Sequence, residues 1–234
     1  MSDNDQRRKE LLQNVGLFTG LDENEIDSIV PLLRYNKYVK DQVVVEVGDP
    51  GRSLFIVETG TLKVVLNDNK EREVILSLLR EGDFFGEIAL LDEKPRSASV
   101  IALVPTRLYT LERDLFLEFV ESNPKALLQI LKVQFERLRA ADQMRHDLAL
   151  LGVYGRVARL ILQLAQDEGE HTEEGTLITK PPSQQQIAGM VGASRETVSR
   201  VINELVRMGT IKKQGRKLLI PSELNLYDQI DGEF

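Results

Sequence analysis

One short stretch of the chain brings together residue types that can hold a small phosphorylated ligand. Gly86 and Glu87 open the segment Gly86-Glu87-Ile88-Ala89, and Arg96 and Ser97 follow Glu87 by nine and ten residues. Gly86 lets the backbone approach a ligand closely, and the N–H groups of the short turn can point at phosphate oxygens. Glu87 can accept a hydrogen bond from a ribose 2′-hydroxyl, and Arg96 can hold phosphate oxygens in a two-point contact. The set fits a ribose that carries a cyclic phosphate; the alternative is a surface Arg–Glu pair beside a β-turn.

A second group of residues has the pattern of a DNA-reading element. Ser183 and Gln186 form a capping box at the start of one helix, and Gly192 permits a sharp turn before Ser194 caps the next helix. With the apolar residues of the second helix turned inward, its polar residues are free to enter a major groove, where Arg pairs with guanine and Glu accepts from cytosine. The polar residues on that side are Ser194, Arg195, Glu196, Ser199 and Arg200.

A hairpin-like segment and the charge distribution support the same interpretation. The run 210–220 predicts a β-hairpin wing whose cations Lys212, Lys213 and Arg216 can touch phosphates. The net charge of the chain is −7, but residues 180–217 hold eight Lys or Arg and two Glu. That segment is therefore +6 and the rest of the chain −13, which indicates one basic face for a polyanion. The alternative is a packed helical hairpin with solvated charges and no nucleic acid.

Composition excludes several other classes of protein. The chain has 234 residues, 42% of them apolar, with no cysteine and two histidines, His146 and His171. Disulfides, thiolate metal sites and iron–sulfur clusters are excluded, and one chain cannot supply a multi-histidine metal centre. No apolar run approaches the roughly 20 residues of a membrane span, the polar N-terminus does not resemble a signal peptide, and no nucleophile–base pair can be named. We expect a cytoplasmic protein that is not an enzyme and has neither a metal cofactor nor a membrane partner.

Periodicity indicates the elements that must position these residues. Residues 7–34 have a helical pattern, and residues 38–111 alternate short β-rich runs with turn signals, which is typical of a compact β sandwich or roll. Ser122-Asn123-Pro124 predicts the start of a long helix. Apolar residues at i+3 and i+4 spacing along it predict a seam for a second helix. The seam residues are Leu127, Leu131, Phe135, Leu138, Leu148 and Leu151.

Two features follow from this long helix. Its seam is interrupted at Ala141, Asp142 and Arg145, either as register control or because the seam meets a ligand there. After the helix, Val153–Arg156 has the pattern of a hinge into a second domain.

In this order, the motifs closely resemble the cyclic-AMP receptor/FNR (CRP/FNR) family of bacterial transcription regulators over roughly residues 15–221. The segments that carry the resemblance are Gly48–Gly51, Phe85–Leu91, Arg96-Ser97-Ala98, the long helix and Val191–Arg200. The resemblance implies an α+β fold in three parts. These are an N-terminal cyclic-nucleotide-binding β-roll domain at 1–121, a dimerisation helix at 122–152 and a C-terminal winged helix-turn-helix DNA-binding domain at 153–234.

The resemblance also implies partners and site residues. It implies a homodimer that binds double-stranded DNA at a palindromic operator, contacts RNA polymerase and is controlled allosterically by cAMP. The ligand-contacting residues would be Gly86, Glu87, Ile88, Ala89, Arg96, Ser97, Ala98 and Arg137. Gln185, Arg195, Glu196 and Arg200 fall on the family's DNA-contacting positions, the last three of them reading a GTGA-like half-site.

The chain departs from the family where the nucleotide base would lie. Members that bind cAMP have two adjacent hydroxyl residues on the long helix, and the aligned residues here are Ala141 and Asp142. A carboxylate only accepts hydrogen bonds. Asp142 could accept from the adenine N6 amine, accept from guanine N1–H and N2–H, or pair locally with Arg139 or Arg145. The effector is therefore expected to be cAMP, with cGMP as the alternative. A cyclic-dinucleotide regulator, and a DNA-binding protein whose β-roll takes no ligand, remain open.

Overall fold

A computed structural model describes residues 3–67 and 73–222 of the chain. The chain divides into two compact units, Met1–Arg139 and Ala140–Phe234, and the division falls inside one long helix. The domain boundaries predicted at 121/122 and 152/153 stay a prediction. Residues 223–234 of the third predicted domain lie outside the described residues.

The first unit is built around two antiparallel sheets. Its strands are β1 (Arg34–Tyr38), β2 (Val43–Val45), β3 (Ser53–Thr59), β4 (Leu62–Asn67), β5 (Glu73–Leu79), β6 (Phe84–Phe85), β7 (Ser99–Ala102) and β8 (Thr106–Glu112). One sheet has the strand order β1-β8-β3-β6 and the other β2-β7-β4-β5. Helices α1 (Asp3–Asn14), α2 (Glu23–Ile29), α3 (Glu87–Leu91) and α4 (Arg113–Ser122) accompany them.

The central strand β3 explains how the ligand-site segment is positioned. Alternate residues of a strand point to opposite faces, so Leu54 enters the core beneath the helices while Phe55 enters the core shared by the two sheets. The Phe55 ring stacks on that of Phe85, with 4.9 Å between the ring centroids. Because β6 ends at Phe85, this stacking holds the backbone immediately before Gly86.

The β-roll predicted for the first unit is confirmed, with two local differences. The helical pattern assigned to residues 7–34 was wrong at its end, because β1 begins at Arg34 and pairs with β8 in the register Arg34–Thr110. Helix α4 was not predicted. Its residues Phe116 and Phe119 are buried in the core beneath the helices, so tertiary packing stabilises an element that follows directly on a strand.

The second unit contains the predicted winged helix-turn-helix. Its helices are α6 (Val153–Glu168), α7 (Gln184–Val191) and α8 (Arg195–Arg207), and its strands are β9 (Glu170–Thr172), β10 (Gly175–Ile178), β11 (Lys212–Gln214) and β12 (Lys217–Pro221). The strands form one antiparallel sheet in the order β11-β12-β10-β9. Apolar residues of all three helices and of β10 and β12 share a single core.

The long helix α5 (Pro124–Leu150) starts where Pro124 predicts. Two sequence expectations about its far end were wrong. Leu151 is buried in the core of the second unit and does not continue the seam. The break between α5 and α6 lies at Leu151–Gly152, whereas Val153–Arg156 forms the first turn of α6. Arg156 anchors that turn, because its guanidinium donates to the carbonyl oxygens of Leu151 (2.8 Å) and Val191 (2.9 Å).

Candidate functional site

Gly86 sits at the centre of the ligand-site segment in a conformation that favours glycine. Its φ is +92°, in the left-handed region, and it precedes α3 as the N-cap residue. A Cβ at this position would lie 2.5 Å from Arg96 Nη1 and 2.9 Å from the Ser53 carbonyl oxygen. Both the backbone conformation and the lack of space therefore require glycine beside Arg96.

Arg96 is buried and held by backbone groups. Its Nη1 donates to the Gly86 carbonyl oxygen (2.9 Å) and its Nη2 to that of Ser53 (2.7 Å). Its own backbone pairs with the loop before β3, through Arg96 N–Asp49 O (2.8 Å) and Gly48 N–Arg96 O (2.9 Å). Burial lowers the pKa of Arg96, while the negative charges of Glu87 and Asp49 act in the opposite direction. A guanidinium has five N–H donors, so these two side-chain bonds leave donors for an anion.

Glu87 is the most deeply buried charged group of this region, with 1% of its surface exposed. Its Oε1 accepts two hydrogen bonds from α5, from Gln134 Nε2 and from Arg137 Nη1, each at 2.6 Å. Its Oε2 is also buried, but it has no hydrogen-bond partner within residues 3–67 and 73–222. A buried carboxylate oxygen without a partner is costly, so a hydrogen-bond donor from beyond the described residues would stabilise this atom.

Arg137 completes the cluster from α5. Its Nη2 donates to the Phe84 carbonyl oxygen (2.7 Å), and its guanidinium carbon lies 5.5 Å from the centroid of the Phe84 ring. The structure therefore brings Gly86, Glu87, Arg96 and Arg137 together, although Arg137 is far from the others in the sequence.

The smaller predicted site residues differ in exposure. Ala89 and Ala98 are buried, and Ala89 packs so closely on Gly51 that a Cβ there would lie 2.4 Å from the Ala89 Cβ. Ile88 and Ser97 are exposed beside them. The Ser97 hydroxyl is therefore accessible to a ligand.

Gln134 is a site residue that the sequence reasoning missed. It lies three residues before Arg137, on the same side of α5. An expected contact by Arg137 could have directed attention to its i−3 neighbour, but glutamine in a helix carries no signal of its own.

Asp142 lies beyond the division, in the second unit. Its Oδ1 accepts from Arg145 Nη1 at 2.9 Å, and both side chains are exposed. This is the local i, i+3 pair that the sequence offered as one alternative. A contact between Asp142 and a nucleotide base stays a prediction.

The helix-turn-helix has the predicted caps. The Ser183 hydroxyl accepts from Gln186 N (3.3 Å), and the Gln186 side chain accepts from Ser183 N (2.7 Å). Gly192 ends α7 with a φ of +64°, in the left-handed region. The Ser194 hydroxyl then accepts from Thr197 N (3.2 Å) and caps α8.

The outer side of α8 carries the predicted DNA-contacting residues. Val198, Val201, Ile202 and Leu205 are buried in the core, which turns the opposite side to solvent. Val206 is only partly buried and packs at the edge of that core. The exposed predicted residues of α8 are Arg195, Glu196 and Arg200, while Ser199 is half-buried. The cap residue Ser194 and Gln185 of α7 are also exposed. A hydrogen bond from its own backbone, followed by one from the Ser194 hydroxyl, lowers the pKa of the Glu196 carboxyl and so favours the ionised form, which accepts hydrogen bonds.

The hairpin β11–β12 forms the predicted wing. Its turn contains Gly215 with a φ of +65°, and Lys212, Lys213 and Arg216 are exposed along it. Lys213 Nζ donates to Asn203 Oδ1 of α8 at 3.0 Å. This contact joins the wing to the recognition helix, and the sequence reasoning did not include Asn203.

In the described ranges, no group of three or more His, Asp or Glu side chains is arranged to hold a metal ion. Within those ranges, no helix is long and apolar enough to cross a membrane.

A β-roll with a buried Arg–Glu cluster, followed by a winged helix-turn-helix, is the domain combination of a DNA-binding transcription regulator with an N-terminal domain of the cyclic-nucleotide-binding type. Residues 35–123 match the cyclic nucleotide-binding domain model, and residues 155–228 match the Crp-like helix-turn-helix domain model. The chain belongs to the CRP/FNR family of transcription regulators.

Similar proteins support this assignment. The CRP-like cAMP-activated global transcriptional regulator of Mycobacterium tuberculosis is 31% identical over 211 residues, which cover 90% of this chain and 94% of that protein. The cAMP-activated global transcriptional regulator Vfr of Pseudomonas aeruginosa is 30% identical over 199 residues, covering 83% and 92%. In fold, the chain is similar to the c-di-GMP responsive global regulator CLP of Xanthomonas campestris, with a TM-score of 0.71, 23% identity, and 86% of this chain and 100% of that chain covered.

Proposed function

We propose that this protein is a homodimeric transcription regulator whose binding to a palindromic operator is controlled by a cyclic nucleotide, with cAMP as the first candidate. The observation that carries the proposal is the buried Glu87 Oε2, which has no hydrogen-bond partner in the described part of the chain. Glu87 belongs to the same cluster of side chains as the buried cation Arg96, whose pKa its charge affects.

The residues of the cluster fit a ribose with a cyclic phosphate. Glu87 Oε2 can accept from a ribose 2′-hydroxyl, because it is the unused oxygen of a carboxylate already held by its other oxygen. Arg96 retains N–H donors for phosphate oxygens, and the exposed Ser97 hydroxyl offers one more donor. Gly86 leaves the space beside Arg96 free of a side chain.

Two observations bear on the choice of base, and they favour different bases. The relatives from M. tuberculosis and P. aeruginosa are named as cAMP-activated, which favours cAMP. Asp142 stands where a hydroxyl would be expected, and its acceptor-only carboxylate suits guanine N1–H and N2–H. We therefore place cGMP second. A cyclic dinucleotide is a further candidate to test, since CLP is described as c-di-GMP responsive.

The exposed side of α5 supports a homodimer. The predicted seam residues Leu127, Leu131, Phe135 and Leu138 are all exposed on α5, and Leu128 beside them is exposed as well. With Leu128 in place of Leu127, the stripe recurs at alternating three- and four-residue spacing, and Leu128 and Phe135 expose 60% and 53% of their surfaces. This heptad spacing is that of a two-helix coiled coil, and a second copy of α5 would remove the stripe from water. Asp142 and Arg145 continue the same register. In a parallel pair, a two-fold axis relates the two recognition helices, which requires an inverted repeat in the DNA.

The exposed side of α8 supports recognition of GTGA-like half-sites. Arg195 and Arg200 can each pair with a guanine, and Glu196 can accept from cytosine N4. The wing cations Lys212, Lys213 and Arg216 would contact phosphates. In this role the protein is a cytoplasmic, non-enzymatic regulator that recruits RNA polymerase or blocks it.

The direct test measures ligand and DNA binding together. Calorimetric titration with cAMP, cGMP and c-di-GMP identifies the effector, and fluorescence anisotropy with an inverted-repeat duplex measures DNA affinity with and without it. We expect saturable binding of a cyclic nucleotide, a gain of roughly 2.7 kcal/mol in unfolding free energy at 100 times its dissociation constant, and tighter operator binding. Operator binding that no nucleotide alters, with no heat of binding, would favour a regulator whose β-roll takes no ligand.

A further inference from the structure

The hydrogen bonds around Glu87 divide its two oxygens into distinct roles. Oε1 receives both donors from α5, while Oε2 receives none from the described residues. A carboxylate can accept at both oxygens, so an asymmetric arrangement requires a cause. The asymmetry follows from the placement of the two donors, Arg137 and Gln134, on α5.

Arg137 alone does not fix the orientation of the carboxylate. An arginine often holds a carboxylate with two parallel N–H bonds, one to each oxygen. Here the second terminal nitrogen of Arg137 donates to the Phe84 carbonyl oxygen, at 2.7 Å. The guanidinium therefore reaches Glu87 through a single N–H group, and a single hydrogen bond leaves a carboxylate free to rotate about its axis.

Gln134 supplies the second constraint. Its Nε2 lies 2.6 Å from the same oxygen that Arg137 contacts. Because an ionised carboxylate only accepts, the amide must present its NH₂ side to Glu87. Two donors from one side of α5 hold Oε1 toward the helix and leave Oε2 on the other side. Gln134 does this without adding a charge to the cluster.

We propose that Gln134 is a positioning residue that orients Glu87, so that Oε2 is presented to the ribose 2′-hydroxyl of the ligand. The residue thereby sets the discrimination between ribo- and 2′-deoxy-nucleotides. This inference rests on the proposed cyclic-nucleotide function, and it assigns to Gln134 a role that acts through Glu87 and not by contact with the ligand.

The test compares two ligands that differ only at the 2′ position. Dissociation constants for cAMP and 2′-deoxy-cAMP are measured by calorimetry for wild type, Gln134→Leu and the shorter Gln134→Asn. If wild type prefers cGMP, its 2′-deoxy analogue replaces the pair. We expect cAMP to bind about tenfold more weakly to both variants, as for the loss of one hydrogen bond to a charged group. We expect 2′-deoxy-cAMP to change less than about twofold, so the preference for the ribonucleotide falls.

A matched control lies on the same helix. Gln129 is a half-buried glutamine whose Nε2 donates to the Thr19 carbonyl oxygen at 3.2 Å. Gln129→Leu should leave the affinity for both ligands unchanged. Gln134→Leu in a Glu87→Ala background should not reduce the ribose preference further, because the carboxylate that it orients is gone. Gln134→Asn keeps a polar side chain, so the test survives if the leucine variant does not fold.

Each outcome decides the proposal. A loss of affinity by the same factor for both ligands shows that Gln134 only supports the fold, and overturns the inference while leaving the proposed function intact. Unchanged constants in both Gln134 variants overturn it equally. Wild-type protein that binds neither cAMP nor cGMP overturns this inference, and wild-type protein that binds none of cAMP, cGMP and c-di-GMP overturns the proposed function as well. A selective loss for the 2′-hydroxyl ligand supports the inference.

Discussion

Arg96 Nη1 lies 2.9 Å from the carbonyl oxygen of Gly86, so the buried cation of the site is tied directly to the left-handed glycine. The same guanidinium spans to Ser53 on β3. Arg96 therefore has two roles: it joins the loop before α3 to the central strand, and it holds a positive charge at the place where we expect phosphate.

Arg96→Ala should lose both roles. We expect the affinity for the cyclic nucleotide to fall at least about 100-fold, because charge-assisted hydrogen bonds contribute roughly 1.5–3 kcal/mol each. Unfolding free energy should also fall, by roughly 1–3 kcal/mol, since two carbonyl groups lose their donor. Calorimetry and urea denaturation measure the two effects. Arg96→Lys keeps the charge but loses the planar guanidinium that donates to both carbonyl oxygens. Its ligand affinity and its unfolding free energy should both be intermediate. Unchanged affinity in Arg96→Ala would contradict the site assignment.

Asp142→Ser should shift the choice of base toward cAMP if the carboxylate faces the base. A serine hydroxyl both donates and accepts, whereas the carboxylate favours the N–H groups of guanine. We expect the ratio of cGMP to cAMP dissociation constants to rise by about fivefold to tenfold, as for one polar contact. Arg145→Gln removes the partner of Asp142 and keeps the carboxylate. If both variants have the same small effect, or if the ratio is constant, Asp142 serves only its pair with Arg145.

Phe135→Glu should separate the proposed dimer. It places a charge in the middle of the exposed apolar stripe of α5, where a partner helix would have to bury it. Multi-angle light scattering at micromolar concentration should give the mass of one chain for the variant and of two chains for wild type. The adjacent Glu136→Lys, which is exposed and off the stripe, is the control and should remain dimeric. A wild-type monomer, with and without ligand, would contradict the assembly.

Arg195→Ala and Lys212→Ala should weaken DNA binding in different ways. Loss of Arg195 should cost roughly 1–3 kcal/mol on the operator and relax the preference for one guanine, because the contact reads a base. Loss of Lys212 should weaken binding to operator and random duplexes by the same factor. It should also reduce the slope of log affinity against log salt concentration by about the share of one phosphate contact. Anisotropy titrations over a range of salt concentrations distinguish the two. Equal losses on both duplexes for Arg195→Ala would place another residue in the groove.

Asp83→Asn should stabilise the protein in a pH-dependent way. Burial raises the pKa of Asp83 above its usual 3.8, although the Arg80 backbone N–H, Arg137 and Arg80 oppose the shift. Since the folded-state pKa is the higher one, stability is greatest below the unfolded-state pKa and is lost as pH rises through the folded-state pKa. The neutral asparagine avoids this loss. Urea denaturation should therefore show a more stable variant at pH 7 and a smaller difference near pH 3.5.

A control for this prediction is Asp92→Asn. The exposed Asp92 also accepts a backbone hydrogen bond, from Lys94 N at 3.1 Å. We expect the same stability as wild type at both pH values. An Asp83→Asn protein that is less stable than wild type at pH 7 would show that the charge of Asp83 is favourable in the folded state.

The sequence by itself determined the local elements and the identity of the chemical groups. Gly86 and Gly192 each need a left-handed backbone, and Ser183 and Ser194 cap the helices that follow them. These are interactions between near neighbours, so residue type and spacing are sufficient to predict them. The family and its fold followed from motifs of the same kind.

Only the tertiary structure decided which distant groups meet. Glu87 and Gln134 are 47 residues apart, and their contact depends on where α5 packs against the β-roll. By its spacing, Leu151 fits the seam. In the structure it is buried in the core of the second unit, and it is therefore not part of the seam. Likewise, the local sequence of Val153–Arg156 predicts a hinge. In the structure the Arg156 side chain is fixed by hydrogen bonds that it donates to the carbonyl oxygens of Leu151 and Val191. Periodicity reports which side of an element is apolar, whereas packing decides what that side contacts.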